Sequence, residues 1–234
     1  MDYLFIPAGK RMATESTHYG LREDHWNSMS EKERELYRLV RPLRRATYRV
    51  DVPMGVVEDT LATFERDAKA RKGNLELNPD FQRGHVWTQD KQVAYIENLF
   101  RGVAPRNIRF NCAGWQQSEA EPGDLNPGDI VCVDGLQRLT AVRDFLDGKI
   151  TIFDGKTRED LAGTGFDVSR LGSGWSLSME MFQITNRADL LQFYLDINRG
   201  GVVHSDDELS RVQDLLEKAK LPELTTPKKA KPGR

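Results

Sequence analysis

Apolar and polar positions change their period several times along the chain. Residues 1–30 are polar and irregular, with Gly9 and Gly20 among mixed charges. Ser30-Glu31-Lys32-Glu33 has the form of a capping box, and it predicts a helix through Leu36, Leu39 and Val40 that Pro42 kinks or ends. Residues 47–52 alternate as a strand does, and residues 54–72 place Val57, Leu61 and Phe64 on one helical face. A short apolar stretch, 75–77, enters the turn Asn78-Pro79-Asp80. Thr88 predicts the cap of a helix with Val93, Ile96, Leu99 and Phe100 facing inward and Gly102 at its end.

The second half begins with a strand over 105–110 and a Gly-, Gln-, Glu- and Pro-rich loop over 111–129, read as an excursion between two paired strands. An apolar strand, 130–133, then turns through Asp134-Gly135 into a helix carrying Leu139, Val142, Phe145 and Leu146 on one face. Residues 149–153 read as a short strand before the turn pair Asp154-Gly155, 155–177 as irregular, 179–184 as a strand and 187–194 as a helix. Ser205 and Glu208 form a second capping box, opening a helix to about Lys220 before Pro222 and a basic tail. Strands and helices lack the regular beat of a doubly wound sheet, so the expected fold class is α+β with a small mixed sheet. The expected division is an N-terminal extension over 1–45, one domain over 46–220, and a disordered basic tail over 221–234.

Composition narrows this picture. With 234 residues, 38% of them hydrophobic and 30% charged, the chain suits one large globular domain or one domain with an extra lobe. No apolar run approaches the roughly 18 residues that span a bilayer. The start, Met1-Asp2-Tyr3-Leu4-Phe5-Ile6-Pro7, lacks the basic end and long apolar core of a signal peptide. Membrane association is therefore not expected, and the expected location is the cytoplasm. Cys132 sits inside an apolar strand and reads as a buried thiol; with Cys112 and four histidines it makes no zinc-binding spacing. A net charge of −2 gives no global cationic field, so contact with DNA rests on local patches. One is the segment 38–49, with Arg38, Arg41, Arg44, Arg45 and Arg49; the other is the tail, whose plainer role is solubility.

The chemistry concentrates in three turns. The strand-to-helix turn Asp134-Gly135-Leu136-Gln137-Arg138 is a natural anion site. The first N–H groups of a helix lack partners, and the helix dipole favours negative charge there. Gly135 lets the backbone approach a ligand, and Arg138 adds a forked grip on phosphate. Asp134 accepts only: it can hold a metal, orient Arg138 or take a proton from an attacking hydroxyl. Asp-Gly is also an ordinary turn pair and Asp an ordinary cap. Gln82-Arg83 and Asn198-Arg199 with Gly200 and Gly201 repeat the theme of an Arg beside an amide or glycine, which together suits a polyphosphate. An unperturbed imidazole titrates near neutrality, so His85 is a candidate acid or base. Glu97 lies one turn from its helix's apolar stripe and is a candidate metal or proton partner. There is no glycine-rich phosphate loop, dinucleotide fingerprint or nucleophile elbow.

Taken together, Asn78-Pro79-Asp80-Phe81-Gln82-Arg83 with Trp87, then Val133-Asp134-Gly135-Leu136-Gln137-Arg138-Leu139-Thr140, then Ile197-Asn198-Arg199-Gly200-Gly201, resemble the ParB/sulfiredoxin-like superfamily, in the branch found in GmrSD-type restriction proteins. The resemblance spans roughly residues 50–215. It implies a ParB/sulfiredoxin-like mixed sheet with surrounding helices. It also implies a nucleotide-binding catalytic domain that takes ATP or another NTP with Mg2+. On that resemblance Gln82, Arg83, Gly135, Gln137, Arg138, Asn198 and Arg199 bind the nucleotide, and Asp134 is the base or Mg2+ ligand. The family's DGQQR is Asp-Gly-Leu-Gln-Arg here, and Leu136 cannot hydrogen-bond a ligand.

Restriction proteins of that branch join this domain to a nuclease domain, for which this chain looks too short. The expected activity is therefore phosphoryl transfer from a nucleotide to a hydroxyl, with a hydroxymethylated DNA base as acceptor. One alternative is an NTP-hydrolysing defence module that works with a nuclease. Another is a ParB-like, nucleotide-switched DNA clamp acting as a homodimer.

Overall fold

Five strands make one mixed sheet in this computed structural model, in the order β1-β5-β3-β4-β2. They are β1 (Tyr48–Pro53), β2 (Leu75–Glu76), β3 (Asn107–Asn111), β4 (Ile130–Asp134) and β5 (Ser176–Phe182). β1 runs antiparallel to β5, β5 parallel to β3, β3 antiparallel to β4, and β4 parallel to β2. The helices are α1 (Glu23–Ser28), α2 (Glu31–Val40), α3 (Val57–Ala70), α4 (Gln89–Phe100), α5 (Leu136–Leu146), α6 (Arg158–Leu161), α7 (Arg187–Asn198) and α8 (Asp206–Lys220). The structure describes residues 21, 23–40, 42–82, 84, 86–116, 123–170, 174–198 and 206–220. The fold is α+β, as the pattern predicts.

Each strand sends alternate side chains to opposite faces. On one face Ile108, Phe110, Ile130, Cys132, Leu177, Met179 and Met181 are buried. They meet Leu61 and Phe64 of α3, Ile96 and Leu99 of α4, and Leu139, Val142 and Phe145 of α5. On the other, Val133 and Phe182 join Phe81, Ile184, and the buried residues of α7 (Leu190, Leu191, Phe193, Tyr194, Leu195) and α8 (Val212, Leu216). Helices α7 and α8 thus cover only part of the second face. The rest carries polar side chains and holds the candidate site.

Local signals fare well. The Ser30 N–H donates to Glu33 (2.7 Å), and the Glu33 N–H donates to the Ser30 hydroxyl (3.3 Å), closing the capping box of α2. Thr88 caps α4, and Gly102 follows it at φ 77°. The 111–129 segment connects antiparallel neighbours, β3 and β4.

Four expectations are corrected. Residues 1–30 are not wholly irregular, since Glu23–Ser28 form α1. Residues 149–153 form no strand: Ile152 makes only an isolated bridge to Lys156, because Phe153, Asp154 and Gly155 all have positive φ and turn the chain at once. Residues 155–177 are not wholly irregular, since Thr157 and Asp160 form a capping box that opens α6. The last strand starts at Ser176 rather than 179, and burial from Leu177 onward hides its alternation. The basic tail and Ser205 lie outside the described residues. Among the described residues no helix is long and apolar enough to cross a membrane.

Candidate functional site

The strand-to-helix turn is fixed by Gly135. Its φ is 100°, and an added Cβ would fall 2.8 Å from Cδ1 of Ile108 and 3.1 Å from the Asn107 carbonyl oxygen. Both the left-handed backbone and the closeness of β3 exclude a side chain. A bulge beside the turn decides where Asp134 lies. Phe110 pairs with Cys132, yet Arg109 pairs with Asp134, so Val133 is passed over. A bulge re-aims the residues beyond it. Asp134 leaves the apolar side occupied by Cys132 and comes opposite Arg109.

Four side chains then share one row across four strands, since Arg49 pairs with Glu180, Glu180 with Arg109, and Arg109 with Asp134. Asp134 Oδ2 accepts from Arg138 Nη2 of α5 and from Arg109 Nη1, each at 2.8 Å. Arg109 Nε donates to Glu180 Oε2 at 3.1 Å, while Glu180 Oε1 accepts from Asn107 (2.9 Å) and from Arg49. The Glu180 side chain is only 4% exposed and that of Arg49 is 64% exposed. A carboxylate this deep is costly unless paired and hydrogen-bonded, and two guanidiniums with an amide meet that need.

The network is not saturated. Among the described residues, Asp134 Oδ1, Arg109 Nη2 and Arg138 Nη1 make no hydrogen bond, and Arg138 Nε is buried without a partner. An unmet buried donor costs about 1–3 kcal/mol. Helix α5 opens on this cluster with no side-chain cap and no acid in its first turn. Burial pushes the Cys132 thiol up to about 12, with the charge of Asp134 adding to the effect. Burial likewise takes Tyr95 to about 12, opposed by the charges of Arg138 and Arg106.

Other predicted site residues serve the scaffold. Gln137 Oε1 accepts the N–H groups of Val86 (2.9 Å) and Trp87 (3.1 Å), and its Nε2 donates to the Gly84 carbonyl (2.7 Å). Gln82 Nε2 donates to the Cys132 carbonyl at 2.7 Å. The two amides clasp the 82–87 loop onto β4 and α5, which leaves little capacity for a nucleotide. Asn198 caps its own helix through the Tyr194 carbonyl (2.7 Å). Glu97 accepts the Phe153 N–H (2.8 Å) and lies 3.5 Å from Arg101. The structure does not bring it to the Asp134 network, because its carboxylate anchors the 153–155 turn. Trp87 packs against Tyr95, with ring centroids 5.4 Å apart. Arg83, His85 and Arg199 lie outside the described residues.

The basic segment is also partly committed. Arg38 pairs with Glu31 (3.0 Å), Arg44 with Asp189 (3.2 Å) and Arg49 with Glu180. Sequence reasoning missed Arg109, Glu180 and Asn107. The available signal was a charge between apolar neighbours, Ile108-Arg109-Phe110 and Met179-Glu180-Met181, which marks a polar second face.

Among the described residues no group of three or more His, Cys, Asp or Glu could hold a metal. A Mg2+ that takes one protein carboxylate, with phosphate and water supplying the rest, fits Asp134 through its unused Oδ1.

A family model described as GmrSD restriction endonuclease, N-terminal domain, matches residues 67–193, more than half of the chain. The matched span holds β3, β4, α5 and β5, and with them Arg109, Asp134, Arg138 and Glu180. No curated protein and no solved structure matches the chain.

Proposed function

The chain belongs to the GmrSD restriction endonuclease N-terminal domain family, and from that premise we propose that it is a nucleotide-hydrolysing defence module that acts on DNA together with a nuclease. The observation that carries the reading is the open charge network at the start of α5, lying inside the span the family model matches. An NTP places a phosphate at the N-terminus of α5, where unpartnered N–H groups and the helix dipole receive it. Gly135 keeps the turn tight against β3, and Arg138 closes on the phosphate through its free Nη1. Mg2+, when bound with the nucleotide, neutralises developing phosphate charge, and Asp134 Oδ1 would hold it. Gln82 ties to β4, and Gln137 holds Gly84, Val86 and Trp87 against the start of α5.

The family match favours this reading over transfer of phosphate to a DNA base. The arrangement asks for positioning and charge neutralisation, which suffice for attack by water. The superfamily assignment to the ParB/sulfiredoxin-like fold belongs to the same proposal.

The test follows γ-32P-labelled ATP and GTP with Mg2+ and the full chain, alone and with plain or hydroxymethylated DNA. Release of labelled phosphate, stimulated by DNA and abolished by Asp134→Asn and Arg138→Ala, is expected. Label on the DNA would make the protein a kinase instead. Nucleotide binding without turnover, with a dimer closed on DNA, would favour the clamp. Absence of any nucleotide binding would refute the proposal.

A further inference from the structure

We propose that Arg109 is a second phosphate-binding arginine of this site, held in position by the buried carboxylate of Glu180, and that it exchanges Asp134 for a phosphate oxygen when a nucleotide binds. This rests on the nucleotide reading above.

Arg109 stands on β3, the middle strand of the sheet, between two acids of different kind. Glu180 is nearly sealed at 4% side-chain exposure, whereas Asp134 is 24% exposed at the mouth of the α5 turn. The bond from Arg109 Nε to Glu180 is therefore the anchor. Asn107 fixes the same carboxylate from β3 and Arg49 from β1, so Glu180 has no freedom to follow a ligand. Opposite it, Nη1 reaches Asp134 at 2.8 Å, and Nη2 makes no hydrogen bond among the described residues. Nη1 and Nη2 form one edge of the guanidinium fork, which suits two oxygens of a phosphate.

Asp134 Oδ2 carries two guanidiniums, those of Arg109 and Arg138, on a single oxygen. The two arginines converge from different elements, β3 and α5, onto one point beside the helix N-terminus. The carboxylate there marks where an anion sits between them. A phosphate entering at that point meets both forks, and Asp134 is freed to take the metal. Arg109 is thus a binding residue and Glu180 a positioning residue that acts through it.

The experiment titrates the full chain with Mg2+-ATP, and separately with inorganic tripolyphosphate, by calorimetry. The variants are Arg109→Ala, Arg109→Lys, Glu180→Gln, and each of the first and third combined with Asp134→Asn or with one another. Arg109→Ala is expected to weaken both probes about ten- to hundredfold, as loss of a charged hydrogen-bond partner does. Arg109→Lys, which keeps the charge but not the fork, should recover part of that loss. The loss should persist when Asp134 is already Asn, because Arg109 touches the phosphate itself. Glu180→Gln should weaken both probes in the wild-type background and add nothing once Arg109 is Ala. Melting curves confirm that each variant is folded, and the Lys variant serves should Arg109→Ala unfold.

Equal binding by wild type and the folded Arg109 variants overturns the proposal while leaving the nucleotide reading intact. A loss that disappears in the Asp134→Asn background also overturns it, reducing Arg109 to a prop for Asp134. A wild-type chain that binds neither probe removes the nucleotide reading and this proposal together.

Discussion

Strand β5 shows both faces of the sheet within five residues. Leu177, Met179 and Met181 enter an apolar core closed by three helices, while Glu180 enters a charge network open to solvent at Arg49. The apolar face is held by burial, which is non-directional and tolerates many side chains of suitable size. The polar face is held by directed hydrogen bonds, and each member depends on the next. One face stabilises the fold, and the other places opposite charges close together beside a helix N-terminus. The same backbone ladder serves both, so a site of this kind can be rigid without any dedicated element of its own.

The sharpest way to break the comparison is chemical. Cys132 lies on the apolar side of β4, one residue from Val133 and two from Asp134. With its thiol raised to about 12, thiolate at neutral pH falls roughly a thousandfold below that of a free cysteine. Reaction with a thiol reagent at pH 8 should therefore be undetectable until denaturant is added; fast native labelling would show that the apolar face is open. Next in size, Phe110→Ala removes a fully buried ring from the same core and should cost about 3–5 kcal/mol in denaturant unfolding. A cost below 1 kcal/mol would mean that the core collapses around the gap.

Gly135→Ala tests the joint between the faces. Its φ of 100° and the 2.8 Å contact to Ile108 predict about 1–3 kcal/mol of destabilisation together with weaker nucleotide binding. Unchanged binding would detach the turn from the site. The smallest effect is expected at Arg143, whose pair with Glu58 is 40% and 48% exposed and thus screened. Arg143→Ala should change stability by no more than about 1 kcal/mol. A larger loss would show that charge on the outside of the apolar core matters as much as charge on the polar face.

Much of the local structure could be read from residues near one another in the chain. The capping boxes at Ser30 and Thr157, the cap at Thr88 and the run from β4 through Gly135 into α5 each depend on contacts within a few positions. Thr157 shows that such a signal is easily passed over when no apolar stripe follows it. The amides show the opposite limit of local reading. Gln82 and Gln137 have the composition of ligand-binding residues, but each bonds backbone some 50 positions away. Backbone N–H and C=O groups, those of the loop for Gln137 and one of β4 for Gln82, take the amides first.

By itself the sequence determined the α+β class, the strand-turn-helix at Asp134-Gly135 and the presence of Arg138 four residues on. Side-chain period, capping chemistry and a glycine that must be left-handed are all short-range matters. Only the tertiary structure decided that Asp134 faces Arg109, and that Glu180 sits behind it. The bulge between Arg109 and Phe110 turns Asp134 toward that row, and Glu180 is 71 residues from Arg109 in the chain. Register between distant strands is set by how the whole sheet packs, so a charge pair that depends on register has no local signature.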